Sequence, residues 1–238
     1  MIEILNNIDS QILLFLNGLH TPLLDNFMMM ATGRFVWVPM YAAILYILFS
    51  TFRRREAIVL TVAIILTIVF ADQVCATLLR PQFERLRPAN LQNPLSALIH
   101  VVNDYRGGSY GFPSCHGSNS FALATILALI VRTRRFTLFI LSWALLNSYT
   151  RIYLGVHYPG DILTGALIGS AGAAAIYLAA SRLFDLRPRY PETHVLFTAP
   201  TGPLAPVVGL RVWCFRTADI MPAVAVATVA ILLLISLF

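Results

Sequence analysis

The sequence lacks lysine altogether and is poor in charge of either sign. Only 12% of its 238 residues are charged, whereas 58% are hydrophobic. A soluble domain has roughly twice that charged fraction, about 25%, so this composition argues against a soluble domain and predicts a polytopic membrane protein. All 17 basic residues are arginine, and the net charge is +6. In a membrane protein this excess is typical of cytoplasmic loops near anionic lipid, and no nucleic-acid-binding motif is present.

Cysteine is also scarce. Cys75, Cys115 and Cys214 are odd in number and far apart, and the chain has no CxxC pair and no zinc-finger spacing. The pattern therefore argues against a zinc site and against a framework of structural disulfides.

Long apolar segments dominate the chain. They predict an all-α fold, a polytopic membrane helical bundle with about six transmembrane helices. The predicted spans are 35–52, 57–79, 118–131, 136–154, 162–183 and 220–238. Residues 2–20 place apolar side chains at helical spacing between polar ones, which predicts an N-terminal amphipathic interfacial helix.

We divide the chain into three predicted parts. Residues 1–34 form an amphipathic, interfacial N-terminal segment, and residues 35–183 form a membrane core. Residues 184–238 combine a cytoplasmic loop with a C-terminal transmembrane helix.

The placement of arginine predicts the orientation of the bundle. Eleven arginines fall in the loops on one side of the predicted spans and six on the other. The side richer in arginine is expected to be cytoplasmic. Three polar clusters, at residues 80–88, 111–118 and 150–161, then meet at the outer face.

These clusters hold the residue types that phosphate chemistry requires. Guanidinium groups of Arg80, Arg87 and Arg151 can grip phosphate oxygens through paired hydrogen bonds. The segment from Ser114 to Ser118 begins a predicted helix, whose N-terminal N–H groups attract an anion.

Two histidines complete the predicted chemistry. His157 and Asp161 are four residues apart and would share a face of one helical turn, so that the carboxylate orients the ring for attack on phosphorus. His116 would protonate the leaving oxygen. A metal site is the rival chemistry, but the only further carboxylates nearby are Glu84 and Asp104, and three arginines would repel a divalent cation.

Each feature also has a simpler interpretation. Asp161 and Ser114 suit helix N-caps, juxtamembrane arginines meet lipid head groups, and Asp72 suits a polar residue facing the bundle interior. Glu84, Arg85, Asp104 and Arg106 are interpreted as solvated loop charges. The shared spacing and the shared side of the membrane favour the functional interpretation of the set.

The three clusters resemble the sequence pattern of the type 2 phosphatidic acid phosphatase (PAP2) superfamily, a family that includes bacterial membrane lipid phosphatases. That pattern is Lys-x6-Arg-Pro, then Pro-Ser-Gly-His, then Ser-Arg-x5-His-x3-Asp. The corresponding residues are Arg80-x6-Arg87-Pro88, Pro113-Ser114-Cys115-His116 and Thr150-Arg151-x5-His157-x3-Asp161. The resemblance covers residues 57–183.

The resemblance implies a role for each matched residue. His157 would be a nucleophile that forms a phosphohistidine, Asp161 would support it, and His116 would be the general acid. Arg80, Arg87, Arg151 and Ser114 would bind the phosphate. The family pattern implies no metal and no cofactor.

Three positions depart from the pattern. Arg80 replaces Lys, which keeps the positive charge, and Thr150 replaces Ser, which keeps the hydroxyl group. Cys115 replaces Gly, so a side chain lies where the backbone is expected to approach phosphate, and a positive φ there would be strained.

We therefore predict a metal-independent enzyme that hydrolyses a phosphomonoester or pyrophosphate of a membrane lipid at the outer face of a bacterial inner membrane. Undecaprenyl pyrophosphate and a lipid A phosphate are the favoured substrates. The alternatives are a lipid phosphotransferase that uses the same site and a catalytically weak protein that binds or transports lipid.

Overall fold

The computed structural model describes residues 2–33, 35–186 and 220–237. Within these ranges the chain is helical and has no β-strand, only an isolated antiparallel bridge between Leu86 and Tyr110. The α-helices are α1 (Ile2–Asn17), α2 (Pro22–Ala31), α3 (Val38–Thr51), α4 (Arg54–Gln73), α5 (Arg80–Phe83), α6 (Cys115–Val131), α7 (Arg134–Tyr153), α8 (Pro159–Leu183) and α9 (Ile220–Ile235). The all-helical prediction is confirmed for this part of the chain.

All six predicted spans coincide with helices, namely α3, α4, α6, α7, α8 and α9. A π-helical turn at Val74–Leu79 joins α4 to α5, so that Arg54–Phe83 forms one helix of 30 residues. This helix and α8 are each long and apolar enough to cross a bilayer, whereas α3, α6 and α9 are apolar but shorter. The number of spans stays a prediction.

The predicted loop 184–218, beyond residue 186, lies outside the described residues, as do Arg34 and Cys214.

Local signals set the helix ends that matter for the polar clusters. Ser114 caps α6, because its side chain accepts a hydrogen bond from the N–H of Gly117 at 3.2 Å. Pro159 starts α8 at the first helical position, where its missing N–H costs nothing. The N–H of Ser114 donates to the carbonyl oxygen of Asp161, which brings the first turns of α6 and α8 together. Only a short loop separates α7 from α8, so the last turn of α7 lies at the same end of the bundle.

Helix α6 is at the centre of the bundle and packs against α4, α7 and α8. Two glycines of α8 allow a very close approach to α6. A Cβ added at Gly165 would lie 2.4 Å from the carbonyl oxygen of Ser114, and one at Gly169 would lie 2.1 Å from that of Ser118. Small residues at such contacts let two backbones touch. This packing fixes the start of α6 beside the start of α8.

Helix α1 lies across this same end of the bundle. Leu13 is buried, and the side chain of Asn17 donates hydrogen bonds to the carbonyl oxygens of His100 and Tyr153 at 3.0 and 2.6 Å. The opposite, apolar face of the helix is exposed, with Ile4 and Phe15 at 64% and 67% exposure. An exposed apolar face on a polar-anchored helix is consistent with the predicted interfacial position.

Candidate active site

A cavity of about 960 Å³ opens between the start of α6 and the helices α3 and α4. One end is lined by five of the residues predicted from the motifs: Arg80, Arg87, His116, Arg151 and His157. The other end is mostly apolar and is lined by side chains of α3 and α4, including Tyr41, Ile44, Leu45, Ile64, Ile65 and Ile68. The cavity thus has a cationic end and a hydrocarbon-like end, which suits an amphiphilic phosphate.

His157 lies at the closed, cationic end. Its side chain is 2% exposed, and its Nδ1 lies 3.5 Å from Oδ2 of Asp161, which is fully buried. That distance is longer than a hydrogen bond, and Nδ1 has no hydrogen-bond partner among the described residues. His157 precedes α8, so the prediction that His157 and Asp161 share one helical turn is wrong. The two side chains are nevertheless adjacent, because Asp161 in the first turn of α8 faces the loop that carries His157.

Asp161 has two further contacts that fix its carboxylate. Oδ2 accepts a hydrogen bond from the backbone N–H of Tyr158 at 3.0 Å, and this bond closes the first turn of α8. Oδ1 accepts a hydrogen bond from Arg85 at 2.7 Å. Asp161 is therefore a helix cap and the neighbour of His157 at once, so the two interpretations of this residue are compatible.

Three arginines surround the same end of the cavity. Arg87 is buried and its Nε donates to the carbonyl oxygen of Tyr110 at 3.1 Å. Arg151 donates to the hydroxyl groups of Thr32 and Tyr105 at 2.8 and 3.0 Å. The Nε groups of Arg80 and Arg151 are buried without a hydrogen-bond partner among the described residues. Buried donors normally find a partner, so these two point to an anion that the cavity accepts.

His116 lies in the first turn of α6, and its Nε2 is 3.2 Å from Oδ1 of Asn147 on α7. The hydrogen on that nitrogen depends on the tautomer. Asn147 is buried and its Nδ2 has no partner among the described residues. Sequence reasoning missed Asn147, although its position one helical turn before Arg151 in an apolar span is a usable signal.

Ser114, predicted to be a phosphate ligand, is a helix cap in the structure. It is fully buried, its hydroxyl caps α6, and it is absent from the residues that line the cavity. Its backbone N–H donates to the carbonyl oxygen of Asp161 at 3.0 Å. In this geometry Ser114 joins the starts of α6 and α8, and its contact with phosphate stays a prediction.

Cys115, in place of the expected glycine, is accommodated without strain. It begins α6 and is not among the described residues with positive φ. Its Sγ accepts a hydrogen bond from Arg80 Nη2 at 2.8 Å, and the same nitrogen donates to the carbonyl oxygen of Pro113 at 3.1 Å. The guanidinium group of Arg80 therefore contacts the start of α6, and the Sγ of Cys115 accepts one of the two hydrogen bonds of this contact.

Arg85 corrects the sequence interpretation. Predicted to be a solvated loop charge, it instead forms ion pairs with Asp161 at 2.7 Å and with Asp9 of α1 at 2.8 Å. Arg106, also assigned to solvent, donates to the carbonyl oxygen of Ala89 at 2.8 Å. Glu84 and Asp104 are exposed, as expected. Sequence reasoning missed the Asp9 pair because the partners lie 76 residues apart.

Burial and neighbouring charge set the protonation of the loop residues. Burial, followed by the positive charges of Arg151 and Arg80, lowers the pKa of Arg87 to about 10, so the guanidinium stays charged at neutral pH. Burial lowers the pKa of His157 to about 4, with Arg87 and Arg151 acting in the same direction and Asp161 opposing them. The imidazole of His157 is thus neutral at pH 7 and has a lone pair for bonding.

This pKa predicts that acid destabilises the folded protein. An unfolded histidine gains its proton below about pH 6.5, whereas folded His157 resists protonation until about pH 4. The unfolded state binds more protons in this window, so the free energy of unfolding falls, by up to roughly 3 kcal/mol, as the pH drops from 6.5 to 4. Melting temperatures in detergent between pH 7 and 4.5 should fall less steeply for His157→Gln than for wild type.

His20→Gln is the control for this measurement, because His20 is exposed. It should keep the wild-type slope. Equal slopes for wild type and His157→Gln would contradict the low pKa of His157.

The cluster offers a nucleophile, a proton donor and three cations around one point. Neutral His157 faces the cavity, His116 lies across from it, and the arginines can hold the oxygens of a phosphate. Among the described residues, no group of three or more His, Cys, Asp or Glu side chains is placed to hold a metal ion. This arrangement fits transfer of a phosphoryl group to a histidine.

Comparisons with known proteins identify the family of this chain. The family model described as "PAP2 superfamily" matches residues 61–185. The lipid A 4'-phosphatase of Bacteroides thetaiotaomicron is 54% identical over 183 residues, which cover 77% of this chain and 81% of the relative. The lipid A 4'-phosphatase of Porphyromonas gingivalis is 35% identical over 70% of each chain.

Two more distant relatives extend the comparison. The undecaprenyl-diphosphatase of Sulfolobus acidocaldarius is 33% identical over 57% of this chain and 59% of its own length. Among solved structures, the crystal structure of Aquifex aeolicus LpxE is similar with a TM-score of 0.51 and 28% identity, over 70% of this chain and 92% of that one.

Proposed function

Because the chain belongs to the PAP2 superfamily, we propose that it is an integral membrane phosphatase that removes a phosphate group from lipid A. The observation that carries the proposal is the end of the cavity where His157 and His116 meet three arginines, two of which have an unpartnered buried Nε. The names of the two relatives that share most of their length with this chain support lipid A, and the 4'-phosphate in particular.

The proposed reaction has two steps. His157 Nε2 attacks the phosphorus, a bond between nitrogen and phosphorus forms, and the bond from phosphorus to the lipid oxygen breaks. The leaving oxygen takes a proton from His116. Water then attacks the phosphohistidine and gives a proton to His116, the bond between nitrogen and phosphorus breaks, and inorganic phosphate leaves with the imidazole of His157 and the proton on His116 restored.

The remaining residues stabilise these steps. Arg80, Arg87 and Arg151 neutralise the charge that spreads over the equatorial oxygens of phosphorus. Asp161 accepts a hydrogen bond from the Nδ1–H of His157. The Nδ1–Oδ2 distance, which is 3.5 Å here, shortens when substrate binds. Ser114 holds the starts of α6 and α8 in place.

We further propose that six helices cross a bacterial inner membrane and that the site faces outward. Arg54, Arg132 and Arg134 lie at the ends of α4, α6 and α7 that are remote from the cavity's polar end, which supports a cytoplasmic position for those ends. Of the three predicted parts, residues 1–34 would then carry the interfacial helix, 35–183 the phosphatase core, and 184–238 a cytoplasmic loop and the last span.

The apolar end of the cavity supports a lipid rather than a soluble phosphate. Aliphatic and aromatic side chains of α3 and α4 line it. An acyl chain of the lipid would cover this surface while the phosphate of the same lipid contacts the arginines. Undecaprenyl diphosphate is the second candidate substrate, supported by the 33%-identical relative of that activity.

Phosphate release from a lipid panel tests the proposal. Purified protein in detergent would receive lipid A, undecaprenyl diphosphate, phosphatidylglycerol phosphate or phosphatidic acid, each with and without EDTA. EDTA-resistant release from lipid A, with loss of the 4'-phosphate by mass spectrometry, is the expected result. Loss of release with EDTA would contradict the metal-independent mechanism. A phosphorylated acceptor lipid would indicate phosphotransfer, and lipid binding without release would indicate a binding or transport protein.

Replacing Cys115 tests its contact with Arg80. Cys115→Gly removes the Sγ acceptor of Arg80 and leaves that donor free for phosphate. One hydrogen bond contributes about 1 kcal/mol, so KM is expected to fall roughly threefold to fivefold while kcat changes less than about twofold. Steady-state kinetics on lipid A would measure this.

Cys115→Ser is the matched control, because a serine hydroxyl keeps an acceptor for Arg80. It should retain the wild-type KM. A large loss of kcat in both variants would instead give the thiol a part in the chemistry.

A further inference from the structure

A chain of ion pairs links the N-terminal helix to the buried carboxylate beside His157. Arg85 is its centre, with Nη1 2.7 Å from Asp161 Oδ1 and Nη2 2.8 Å from Asp9 Oδ2. The side chain of Asp161 has no exposure, whereas those of Arg85 and Asp9 are 24% and 14% exposed. Asp161, the buried end of this series of ion pairs, is the residue proposed to orient His157.

We propose that Arg85, held in place by Asp9, is a positioning residue that keeps the carboxylate of Asp161 aimed at His157. The proposal rests on the proposed function, in which His157 is the nucleophile and Asp161 accepts its Nδ1 hydrogen. It adds two residues to that machinery, one of them from α1.

The two oxygens of Asp161 have separate partners. Oδ1 is bonded to Arg85, while Oδ2 accepts from Tyr158 N and lies 3.5 Å from His157 Nδ1. A buried carboxylate is costly to keep charged without a nearby cation. Arg85 supplies that cation at Oδ1, so Oδ2, which accepts one hydrogen bond from Tyr158 N, keeps a second lone pair for the N–H of His157.

Arg85 is itself fixed on three sides. Besides its two carboxylate partners, its guanidinium carbon lies 3.8 Å from the centroid of the Tyr158 ring, a cation–π contact. Burial opposes the charge on Arg85, but Asp161 and Asp9 outweigh it and raise the pKa of Arg85. The side chain is thus a permanent, immobile cation and not a mobile loop charge.

Asp9 anchors this cation to the start of α8. Its Oδ1 accepts a hydrogen bond from the N–H of Gly160 at 2.7 Å while its Oδ2 binds Arg85. A Cβ at position 160 would lie 2.8 Å from Asp9 Oδ2, so glycine permits this close approach. Helix α1, whose outer face is apolar and exposed, is therefore coupled through one side chain to the helix that carries Asp161.

Arg85 does not share the role of the other three arginines. Arg80, Arg87 and Arg151 line the cavity, whereas Arg85 and Asp9 do not. Loss of Arg85 should therefore lower the rate of chemistry more than it lowers the affinity for substrate. This separates a positioning role from a phosphate-binding one.

The test compares Arg85→Gln, Arg85→Lys and Asp9→Asn on the lipid that wild type hydrolyses. Partners that orient a catalytic group are worth about 10–100-fold, so kcat of Arg85→Gln should fall by that factor with KM within about threefold.

Asp9→Asn should show a smaller loss of kcat, and Arg85→Lys should recover part of the wild-type kcat because it returns a cation to Asp161. Glu3→Gln is the matched control, since Glu3 is an exposed carboxylate of the same helix and its loss should change nothing. Melting temperatures would identify any variant that fails to fold, in which case the milder Asp9→Asn decides.

Three outcomes overturn the proposal. In an active wild type whose His157→Ala variant is inactive, an unchanged kcat in Arg85→Gln and Asp9→Asn would remove the positioning role while the proposed function stands. A rise in KM alone would make Arg85 a phosphate ligand. A wild type that releases no phosphate from any lipid would overturn the proposed function and this proposal together.

Discussion

Replacing His157 by alanine is expected to abolish phosphate release from lipid A, with kcat reduced by about 10⁴-fold or more. Its imidazole is the nucleophile of the proposed reaction and lines the cationic end of the cavity. Binding of the lipid phosphate by the arginines should survive, because contacts that do not involve His157 hold Arg80, Arg87 and Arg151 in place. The variant should therefore still bind lipid A in detergent while turning over none of it.

His20→Ala is the control for that experiment. His20 is exposed and stacks on His100 with the ring centroids 3.7 Å apart, and neither residue lines the cavity. Its loss should leave kcat within about twofold of wild type, as is usual for a surface change. Substantial turnover by His157→Ala would assign the nucleophile to another group.

The second largest effect is expected for Arg87→Ala. Arg87 is buried between the other two cavity arginines and keeps its charge despite a pKa lowered to about 10 by burial and by Arg151 and Arg80. A preorganised donor at the developing charge is worth about 10²–10³-fold in rate, so kcat/KM should fall by that factor. Phosphate release at several lipid concentrations would separate the effects on kcat and KM.

Lysine should not rescue this position. Arg87 uses its Nε to bond the carbonyl oxygen of Tyr110 at 3.1 Å, and an ammonium cannot keep that bond and also present two donors to a phosphate. Arg87→Lys is therefore expected to remain impaired by about tenfold or more. Arg106→Gln, which removes a loop arginine that bonds only the Ala89 carbonyl in the described contacts, should retain wild-type kcat/KM. Full activity in Arg87→Ala would contradict the proposed phosphate site.

The sequence predicts the residues that line the cavity because they lie in the terminal turns of helices or in the loops beside them. Arg80 lies in the last turn of the helix Arg54–Phe83, His116 in the first turn of α6 and Arg151 in the last turn of α7. Alternating helices bring such ends together on one side, so ordered motifs and the distribution of arginine suffice to predict the grouping. The same logic predicts the six apolar helices.

Contacts that depend on tertiary packing escape this reasoning. Asp9 lies among the polar residues of an amphipathic helix, where a solvent-facing carboxylate is the natural interpretation, and only the docking of α1 brings it to Arg85 and Gly160. Ser114 shows the converse, because a motif residue predicted to bind phosphate is also buried where α6 approaches Gly165 closely. Spacing identifies which side chains meet, while burial and register decide which atoms face the substrate.

Direct detection of a phosphorylated histidine tests the central proposal most directly. Purified protein would be mixed with lipid A carrying radiolabelled phosphate, quenched within one turnover in alkaline detergent because phosphohistidine is labile to acid, and digested for mass spectrometry. We expect label on His157, absent from His157→Ala and decaying at the rate at which inorganic phosphate appears. Phosphate release at the wild-type rate with no label on His157 would contradict a phosphohistidine mechanism, and with it the role assigned to the cluster around His157.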